Sequence, residues 1–247
     1  MGQLSNQKIL VIGGSAGMGY ATAEAAVRAG ADVVIASRGE ARLAQAAATL
    51  NAIDGNDVAT RALRIEDRES VAELLTSIAP IDHLVLPGST VQPVSYSDLT
   101  DDIARESFDS KFWGPFWTVF DARPHMRQGG SIVLFSGVAS QRPVPGYVVG
   151  ACINGALEAA TRSLALELGP LGIRINTISP GFIMTPLFDA LHDAADMEQR
   201  VADAVGRLPL GRYGEPDEAA SVAMMFMTNG FVTGQVLVLD GGLLATN

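Results

Sequence analysis

Short runs of β-branched and aliphatic residues alternate along the chain with longer stretches whose apolar residues recur every three or four positions. The short runs predict β-strands, and the longer stretches predict amphipathic α-helices. The predicted strands are Lys8–Ile12, Asp32–Ala36, Val58–Arg64, His83–Leu86, Ser131–Phe135, Ile173–Ile178 and Gln235–Leu239. The clearest predicted helices are Gly39–Asn51, Asp67–Ile78 and Gly150–Leu168.

The alternation of strands and helices predicts right-handed βαβ units and a parallel sheet that is covered by helices on both faces. We therefore expect an α/β, doubly wound Rossmann-type sheet of about seven strands, formed as one domain over residues 1–247. A small helical lid over the substrate is expected at about 183–210, where Met184, Phe188 and Leu191 would line it. Ligands of such sheets bind at the carboxyl ends of the strands.

Composition narrows the classes of function. The 247 residues are 48 % hydrophobic, which argues against disorder, and the net charge of −10 argues against a nucleic-acid partner. No apolar run reaches the roughly 18 residues of a membrane span, so no membrane partner is expected. The single cysteine, Cys152, allows no internal disulfide and favours a reducing compartment, which makes the cytoplasm the expected location. The histidines His83, His125 and His192 lack metal-ligand spacing, so no metal site is expected.

The end of the first predicted strand carries a glycine-rich turn, "VIGGSAGMG". Gly13, Gly17 and Gly19 allow a tight turn, close approach of the backbone to a pyrophosphate, and packing of the next helix on the sheet. The amino end of that helix favours an anion. Because the turn lies between a predicted strand and a predicted helix, it indicates nucleotide binding.

The spacing Gly-xxx-Gly-x-Gly resembles the short-chain dehydrogenase/reductase family, and the resemblance extends over the whole chain. "IRINTISPGFIMTP" is similar to that family's sixth strand and nicotinamide-side loop, and "VTGQVLVLDGG" is similar to its last strand. The resemblance implies a nicotinamide dinucleotide along one groove. The residues that it places there are Gly13, Ser15, Gly17, Met18, Gly19, Ser37, Arg38, Arg64, Ile65, Leu86, Gly88, Pro180, Gly181, Ile183 and Thr185.

The end of the second strand bears on the choice of nucleotide. Ser37 stands where the family's NAD users carry an aspartate for the ribose, and Arg38 follows it. Arginine can grip a 2′-phosphate with its fork of donors, and Ser15 would add a hydroxyl, so NADP(H) is expected rather than NAD(H). The alternative is that Arg38 is a solvated surface residue. Arg64 replaces the family's adenine-binding aspartate. The roles open to it are stacking on the adenine and binding of a phosphate.

Members of the family use a tyrosine as general acid, a lysine one turn later, a serine at the substrate oxygen and an asparagine behind the lysine. The matching positions here hold Gly150, Asn154, Gly137 and Lys111. An amide and an ammonium have thus exchanged positions, and the two glycines are expected to leave room for a larger group. Apolar Ile12 and the stretch "LVLPGS" likewise replace a polar link between the first and fourth strand ends.

Three residues are the candidates for catalysis. Lys111 would hold the nicotinamide ribose, polarise a carbonyl oxygen or donate a proton, and Asn154 supplies the amide. Tyr147 either leans into the space beside Gly150 or packs at the helix entry as a loop tyrosine. Two serines, Ser136 and Ser140, flank the missing one, but Ser136 is expected to point to the other side of the strand. Cys152 is expected to be a small packing residue.

These features leave three hypotheses for the function. The first is an NADP(H)-dependent oxidoreductase that acts on a small carbonyl or alcohol substrate through a displaced proton donor. The second is an inactive NADP(H)-binding protein, either a sensor or an oligomer partner, and the third is a non-redox enzyme on the same fold. The resemblance also implies a homo-oligomer, a tetramer or a dimer, formed through the last strands and the helices near Phe112, Trp113 and Leu157.

Overall fold

A computed structural model describes residues 2–53, 57–88, 91, 93–185, 205–206 and 208–246. One parallel sheet contains the seven strands β1 (Lys8–Ile12), β2 (Asp32–Ser37), β3 (Ala59–Ala62), β4 (Ile81–Leu86), β5 (Met126–Phe135), β6 (Arg174–Pro180) and β7 (Val236–Leu239). The helices are α1 (Gly17–Arg28), α2 (Glu40–Asn51), α3 (Arg68–Ile78), α4 (Asp101–Phe108), α5 (Gly114–Ala122), α6 (Val148–Leu168) and α7 (Pro216–Thr228). A π-helical turn, Asp109–Trp113, joins α4 to α5.

The strand order β3-β2-β1-β4-β5-β6-β7 confirms the doubly wound sheet. Strands β1 and β4 are neighbours although β2 and β3 lie between them in the chain, so the strand order reverses at this pair. In such sheets the reversal opens a crevice at the carboxyl ends of the strands, and ligands bind there. The glycine turn after β1 and the segment Pro87–Gly88 after β4 therefore border the same crevice.

The central strands are buried on both faces, and successive residues of a strand point to opposite sides of the sheet. In β1, Ile9 and Val11 join one apolar core, whereas Leu10 and Ile12 join the other. Helices α1, α2 and α7 cover the first core, and α3, α5 and α6 cover the second. In the described part of the chain, no helix is both long and apolar enough to cross a membrane.

Element bounds differ from the sequence prediction mainly where burial changes. The edge strand β3 is exposed throughout and spans only Ala59–Ala62, shorter than the predicted Val58–Arg64. Strand β5 begins at Met126 instead of Ser131, with an exposed polar segment before its buried half. Helix α6 begins at Val148, two residues before the predicted Gly150. The predicted lid at about 183–210, with Phe188 and Leu191, lies mostly outside the described residues, as does His192.

His83 lies inside the sheet as a neutral hydrogen-bonded residue. It is 3 % exposed, and its Nε2 donates to Gln7 Oε1 (2.6 Å) while its Nδ1 accepts from Ser131 Oγ (2.8 Å). Gln7 Oε1 can only accept, which fixes the tautomer. Burial lowers the pKa of His83 from 6.5 to about 4. The unfolded chain therefore binds a proton at a higher pH than the folded chain does.

This pKa shift predicts a loss of stability in acid. As the pH falls from about 6.5 towards 4, His83 becomes protonated in the unfolded state but stays neutral in the folded state. The free energy of unfolding therefore falls by about 2–3 kcal/mol. The measurement is urea unfolding at about pH 7.5 and pH 4.5 for the wild type, His83→Gln and a control, His125→Gln. The pH dependence should shrink by about 2 kcal/mol in His83→Gln alone. An unchanged pH dependence in that variant would contradict the assignment.

Candidate functional site

The glycine turn after β1 has the compact geometry that a dinucleotide requires. Gly13 has a φ of +107°, which favours glycine, and a Cβ atom built there would lie 3.5 Å from the Pro87 ring. A Cβ atom on Gly19 would lie 2.2 Å from the carbonyl oxygen of Gly13 and 2.9 Å from Pro87 Cγ. The apolar contact between the ends of β1 and β4 is therefore formed by Pro87 packed on this turn. No acidic residue lies in the first turn of α1, so its amino end is suited to an anion.

Gly19→Ala should abolish most of the nucleotide affinity. The added methyl cannot share space with the Gly13 carbonyl, so the turn must open and move its amide groups away from the pyrophosphate. We expect the Kd for NADPH to rise at least about 10-fold in a fluorescence titration. Gly169→Ala is the control, because nothing lies within 4 Å of a Cβ atom there. Equal affinities for the two variants would show that the turn does not bind the nucleotide.

The structure brings several of the expected nucleotide residues together along the crevice. The Thr185 methyl lies 3.4 Å from a Cβ position on Gly17, so the segment after β6 reaches the glycine turn. At the end of β2 the Ser37 hydroxyl is buried without a hydrogen-bond partner, and the exposed Arg38 has no ion-pair partner among the described residues. An unsatisfied hydroxyl and a free guanidinium fit a ribose phosphate. These residues fit the group that the sequence implies.

Other expected nucleotide residues are less accessible or differently engaged. Leu86 packs inside the core, so only its backbone faces the crevice, and Ile183 is also buried. Ile65 packs against Gly114 at the start of α5. The Arg64 guanidinium is largely exposed and lies 3.7 Å from Glu66. The remaining residues of the groove lie at the carboxyl ends of β1, β4 and β6 or just after them. They are Ser15, Met18, Gly88, Pro180 and Gly181.

Lys111 is buried at the crevice and is 7 % exposed. It belongs to the π-helical turn Asp109–Trp113, a local feature that often marks functional positions. A Cβ atom on Gly88 would lie 3.7 Å from Lys111 Cγ and 3.8 Å from its Cε, so the lysine stem runs beside the end of β4. Within the described ranges, no hydrogen bond or ion pair is formed by its ammonium. Burial lowers the pKa of Lys111 to about 8.

Asn154 occupies the space of the missing serine. It is 1 % exposed, and a Cβ atom on Gly137 would lie 2.8 Å from its Nδ2. Any side chain at position 137 would therefore displace the amide, which explains the glycine. The Asn154 Oδ1 is buried without a hydrogen-bond partner among the described residues, so one acceptor at this position is unsatisfied.

Tyr147 occupies the space of the missing tyrosine. A Cβ atom on Gly150 would lie 2.3 Å from Tyr147 Cε1 and 2.5 Å from its Cζ, so the ring covers this glycine. The tyrosine is the residue directly before α6, and its side chain turns back over the first helical turn. Burial raises the pKa of its hydroxyl. The expectation that the two glycines leave open room is therefore wrong, because Tyr147 and Asn154 fill the space beside them.

The remaining side chains near the helix have other roles. Ser136 and Ser140 both donate hydrogen bonds to Glu158, a buried carboxylate that sequence reasoning missed. Neither hydroxyl is therefore a free replacement for the missing serine. Cys152 is exposed rather than packed, because it lies on the outer face of α6.

Sequence reasoning also missed Arg142, in the loop between β5 and α6. Its Nη1 donates to the carbonyl oxygen of Leu243 and, at 2.6 Å, to the Thr246 hydroxyl. It thereby attaches the C-terminal turn to the loop that follows Gly137. No local pattern marks an arginine whose partners lie a hundred positions away, so only the folded structure reveals this contact.

Comparisons with known proteins find similar sequences and similar folds over nearly the whole chain. A family profile described as Enoyl-(Acyl carrier protein) reductase matches residues 13–244. "Short-chain dehydrogenase/reductase ATR9" of Stachybotrys chlorohalonatus is 34 % identical, over 98 % of each chain. The MalC Reductase/Diels-Alderase of Malbranchea aurantiaca superposes with a TM-score of 0.91 at 26 % identity, over 98 % of each chain. A small-chain dehydrogenase in complex with NADPH superposes with a TM-score of 0.83 at 32 % identity, over 97 % of this chain and 99 % of that one.

Proposed function

Because the chain belongs to the short-chain dehydrogenase/reductase family, we propose that it is an NADP(H)-dependent oxidoreductase that interconverts a carbonyl compound and its alcohol through a remodelled site. The observation that carries the proposal is the Tyr147 ring lying over Gly150. A phenol thus lies next to the position from which the family's catalytic tyrosine extends, although it is supplied from three residues earlier in the chain.

Each residue of the site has a separate role in carbonyl reduction. When bound, NADPH supplies the hydride that the carbonyl carbon accepts. Tyr147 donates its hydroxyl proton to the carbonyl oxygen; burial raises the pKa of this phenol, which carries its proton at neutral pH. The Lys111 ammonium stabilises the negative charge that develops on the same oxygen, with added strength because this lysine is buried. Asn154 Oδ1 accepts a hydrogen bond from a hydroxyl of the bound molecules.

The preference for NADP(H) rests on Ser37 and Arg38. No carboxylate stands at the end of β2 to repel a phosphate, and the Arg38 guanidinium is free to pair with one. A solved relative at 32 % identity was crystallised with NADPH, which supports the same assignment.

Arg38→Ala should therefore discriminate between the two nucleotides. We expect the Kd for NADPH to rise about 10- to 100-fold, while the Kd for NADH stays nearly constant, because only NADPH carries the 2′-phosphate. Calorimetric titration of both nucleotides measures this ratio. Arg28→Ala is the control, since Arg28 is exposed and paired with Glu24 on α1. An equal loss of affinity for NADH would mean that Arg38 does not bind the 2′-phosphate.

The experiment for the proposed function has two parts. Titration with NADPH first establishes binding, and a panel of ketones, aldehydes and enones is then tested for loss of the NADPH absorbance. Turnover of one carbonyl substrate supports the proposal. Tight binding without turnover across the panel supports the inactive binding protein instead.

One observation favours a non-redox enzyme as the second candidate. The solved relative with a TM-score of 0.91 is named both a reductase and a Diels-Alderase. The phenol of Tyr147, the amide of Asn154 and the ammonium of Lys111 are groups that can orient and polarise a carbonyl without any hydride transfer. Product analysis with and without NADPH distinguishes this candidate, because a non-redox reaction consumes no nucleotide.

We further propose a homo-oligomer, a tetramer or a dimer, located in the cytoplasm. Trp113 and Phe120 are partly exposed on the outer side of the helical segment 109–122, and β7 is an edge strand. Leu157 is buried in the protomer core, so on α6 the exposed Val148 and Leu166 are available to a partner instead. Analytical ultracentrifugation of the purified chain measures the oligomeric state.

A further inference from the structure

Glu158 is a buried carboxylate that the proposed proton transfer does not use. It lies on α6 one turn after Asn154 and is 6 % exposed. Its Oε1 accepts hydrogen bonds from the hydroxyls of Ser140 (2.7 Å), Ser136 (3.0 Å) and Ser179 (3.3 Å). In the described part of the chain, no basic side chain forms an ion pair with it. Hydroxyl donors alone therefore compensate its removal from water.

The three serines belong to two segments that are distant in sequence and border the crevice, Ser136 and Ser140 to the segment after β5 and Ser179 to the end of β6. Ser136 follows β5 directly and precedes Gly137. Ser140 ends the 3₁₀ turn Val138–Ser140, and its hydroxyl also lies 3.1 Å from the Gly137 carbonyl oxygen. Ser179 is the second-last residue of β6 and precedes Pro180 and Gly181. A single carboxylate oxygen thus joins α6 to the segments on both sides of the site.

We propose that Glu158 is a positioning residue that holds the ends of β5 and β6 at fixed places relative to α6. Through Ser136 and Ser140 it places Gly137, against which the Asn154 amide packs. Through Ser179 it places the Pro180–Gly181 segment on the nicotinamide side. The inference rests on the proposed function and deepens it. Hydride transfer requires the reacting atoms to be about 3–3.5 Å apart, so a small separation of these segments would slow it.

Two substitutions of Glu158 separate its charge from its hydrogen bonds. Glu158→Ala removes the acceptor of all three hydroxyls, and we expect kcat to fall at least about 10-fold. The KM for NADPH should change less than about threefold, because this carboxylate forms no hydrogen bond to the glycine turn or to Arg38, which hold the phosphates. Glu158→Gln keeps an oxygen acceptor of the same length and should recover most of the lost rate. Ser140→Ala is the milder variant, since it removes one donor and leaves the carboxylate in place.

Thr161→Val is the matched control. Thr161 is fully buried on the same helix, one turn further from the crevice, and its hydroxyl lies 2.5 Å from Thr177 Oγ1 on β6. The control therefore loses a buried hydrogen bond between the same helix and the same strand. If the role of Glu158 were merely structural, Thr161→Val and Glu158→Ala would have the same kinetic effect at comparable stability.

Hydrogen–deuterium exchange supplies a measurement that does not depend on turnover. In Glu158→Ala, and to a smaller extent in Ser140→Ala, exchange should rise in peptides that cover 136–141 and 179–185, whereas Thr161→Val should leave these peptides unchanged. A rise confined to these peptides, with the kcat loss, supports the proposal. Exchange and kcat indistinguishable from those of Thr161→Val overturn it. If the wild type itself turns over no carbonyl, the proposed function fails while the exchange result still decides whether Glu158 positions the two segments.

Discussion

Replacing Tyr147 by phenylalanine is expected to lower kcat for carbonyl reduction by about 100-fold or more, since general acid catalysis contributes a factor of roughly 10²–10⁴. The variant keeps the ring that covers Gly150 and removes only the hydroxyl. Nucleotide affinity should therefore stay at the wild-type value. Steady-state kinetics and an NADPH titration on the same preparation measure both quantities.

Two controls make the Tyr147 result specific. Tyr96 is 81 % exposed, so Tyr96→Phe removes a hydroxyl without affecting the crevice. Gly150→Ala tests the placement of the ring, because the added methyl would lie 2.3 Å from Tyr147 Cε1 and must displace it. The paired control is Gly155→Ala on the same helix, where nothing lies within 4 Å of the new methyl. Full activity in Tyr147→Phe would show that the proton comes from another group.

Replacing Lys111 by methionine is expected to lower kcat by about 10²–10³, which is the effect of removing one group that stabilises a developing oxyanion. The chain has two lysines, Lys8 and Lys111, so Lys8→Met is a natural control. Lys8 lies at the opposite end of the sheet, 3.6 Å from Asp32. Wild-type turnover in Lys111→Met would show that Lys111 does not take part in catalysis.

The pKa of Lys111 adds a pH test. The ammonium is the active form and its pKa in the free protein is about 8, so kcat/KM should be constant below this pH and fall as the pH rises through it. The residual activity of Lys111→Met should lack this decline, and Lys8→Met should keep it. The free energy of unfolding depends on pH with the opposite sign. Because the folded pKa lies below the usual 10.5, the unfolded state holds more protons between these values, and stability rises with pH there.

Local patterns in the sequence predicted the framework of the protein. Every predicted strand is present, because apolar runs must be buried between two layers of helices whatever else the chain does. The glycine turn was also predicted from the sequence. Gly13 and Gly19 are required there because a side chain would meet the neighbouring backbone or Pro87. The exchange of amide and ammonium between positions 111 and 154 required a resemblance to a family as well as the residues themselves.

The contents of the site depended on contacts that no local pattern encodes. Tyr147 precedes α6 with a non-helical backbone, φ of −121° and ψ of 24°, so helical periodicity does not predict where its ring lies. The cluster around Glu158 joins segments that are about twenty positions away on either side in sequence. Sequence reasoning therefore identified which residues were lost at Gly137 and Gly150 and left Tyr147 beside Gly150 as one of two alternatives, but it did not place Asn154 beside Gly137.

Transfer of deuterium tests the central claim most directly. Wild-type protein is incubated with NADPH deuterated at the transferring carbon and with a carbonyl substrate from the panel, and the product is analysed by mass spectrometry. The account predicts an alcohol with one deuterium on the former carbonyl carbon, formed at a much lower rate by Tyr147→Phe and Lys111→Met. Saturated NADPH binding with no deuterium in any product would contradict the account and leave a nucleotide-binding protein without hydride transfer.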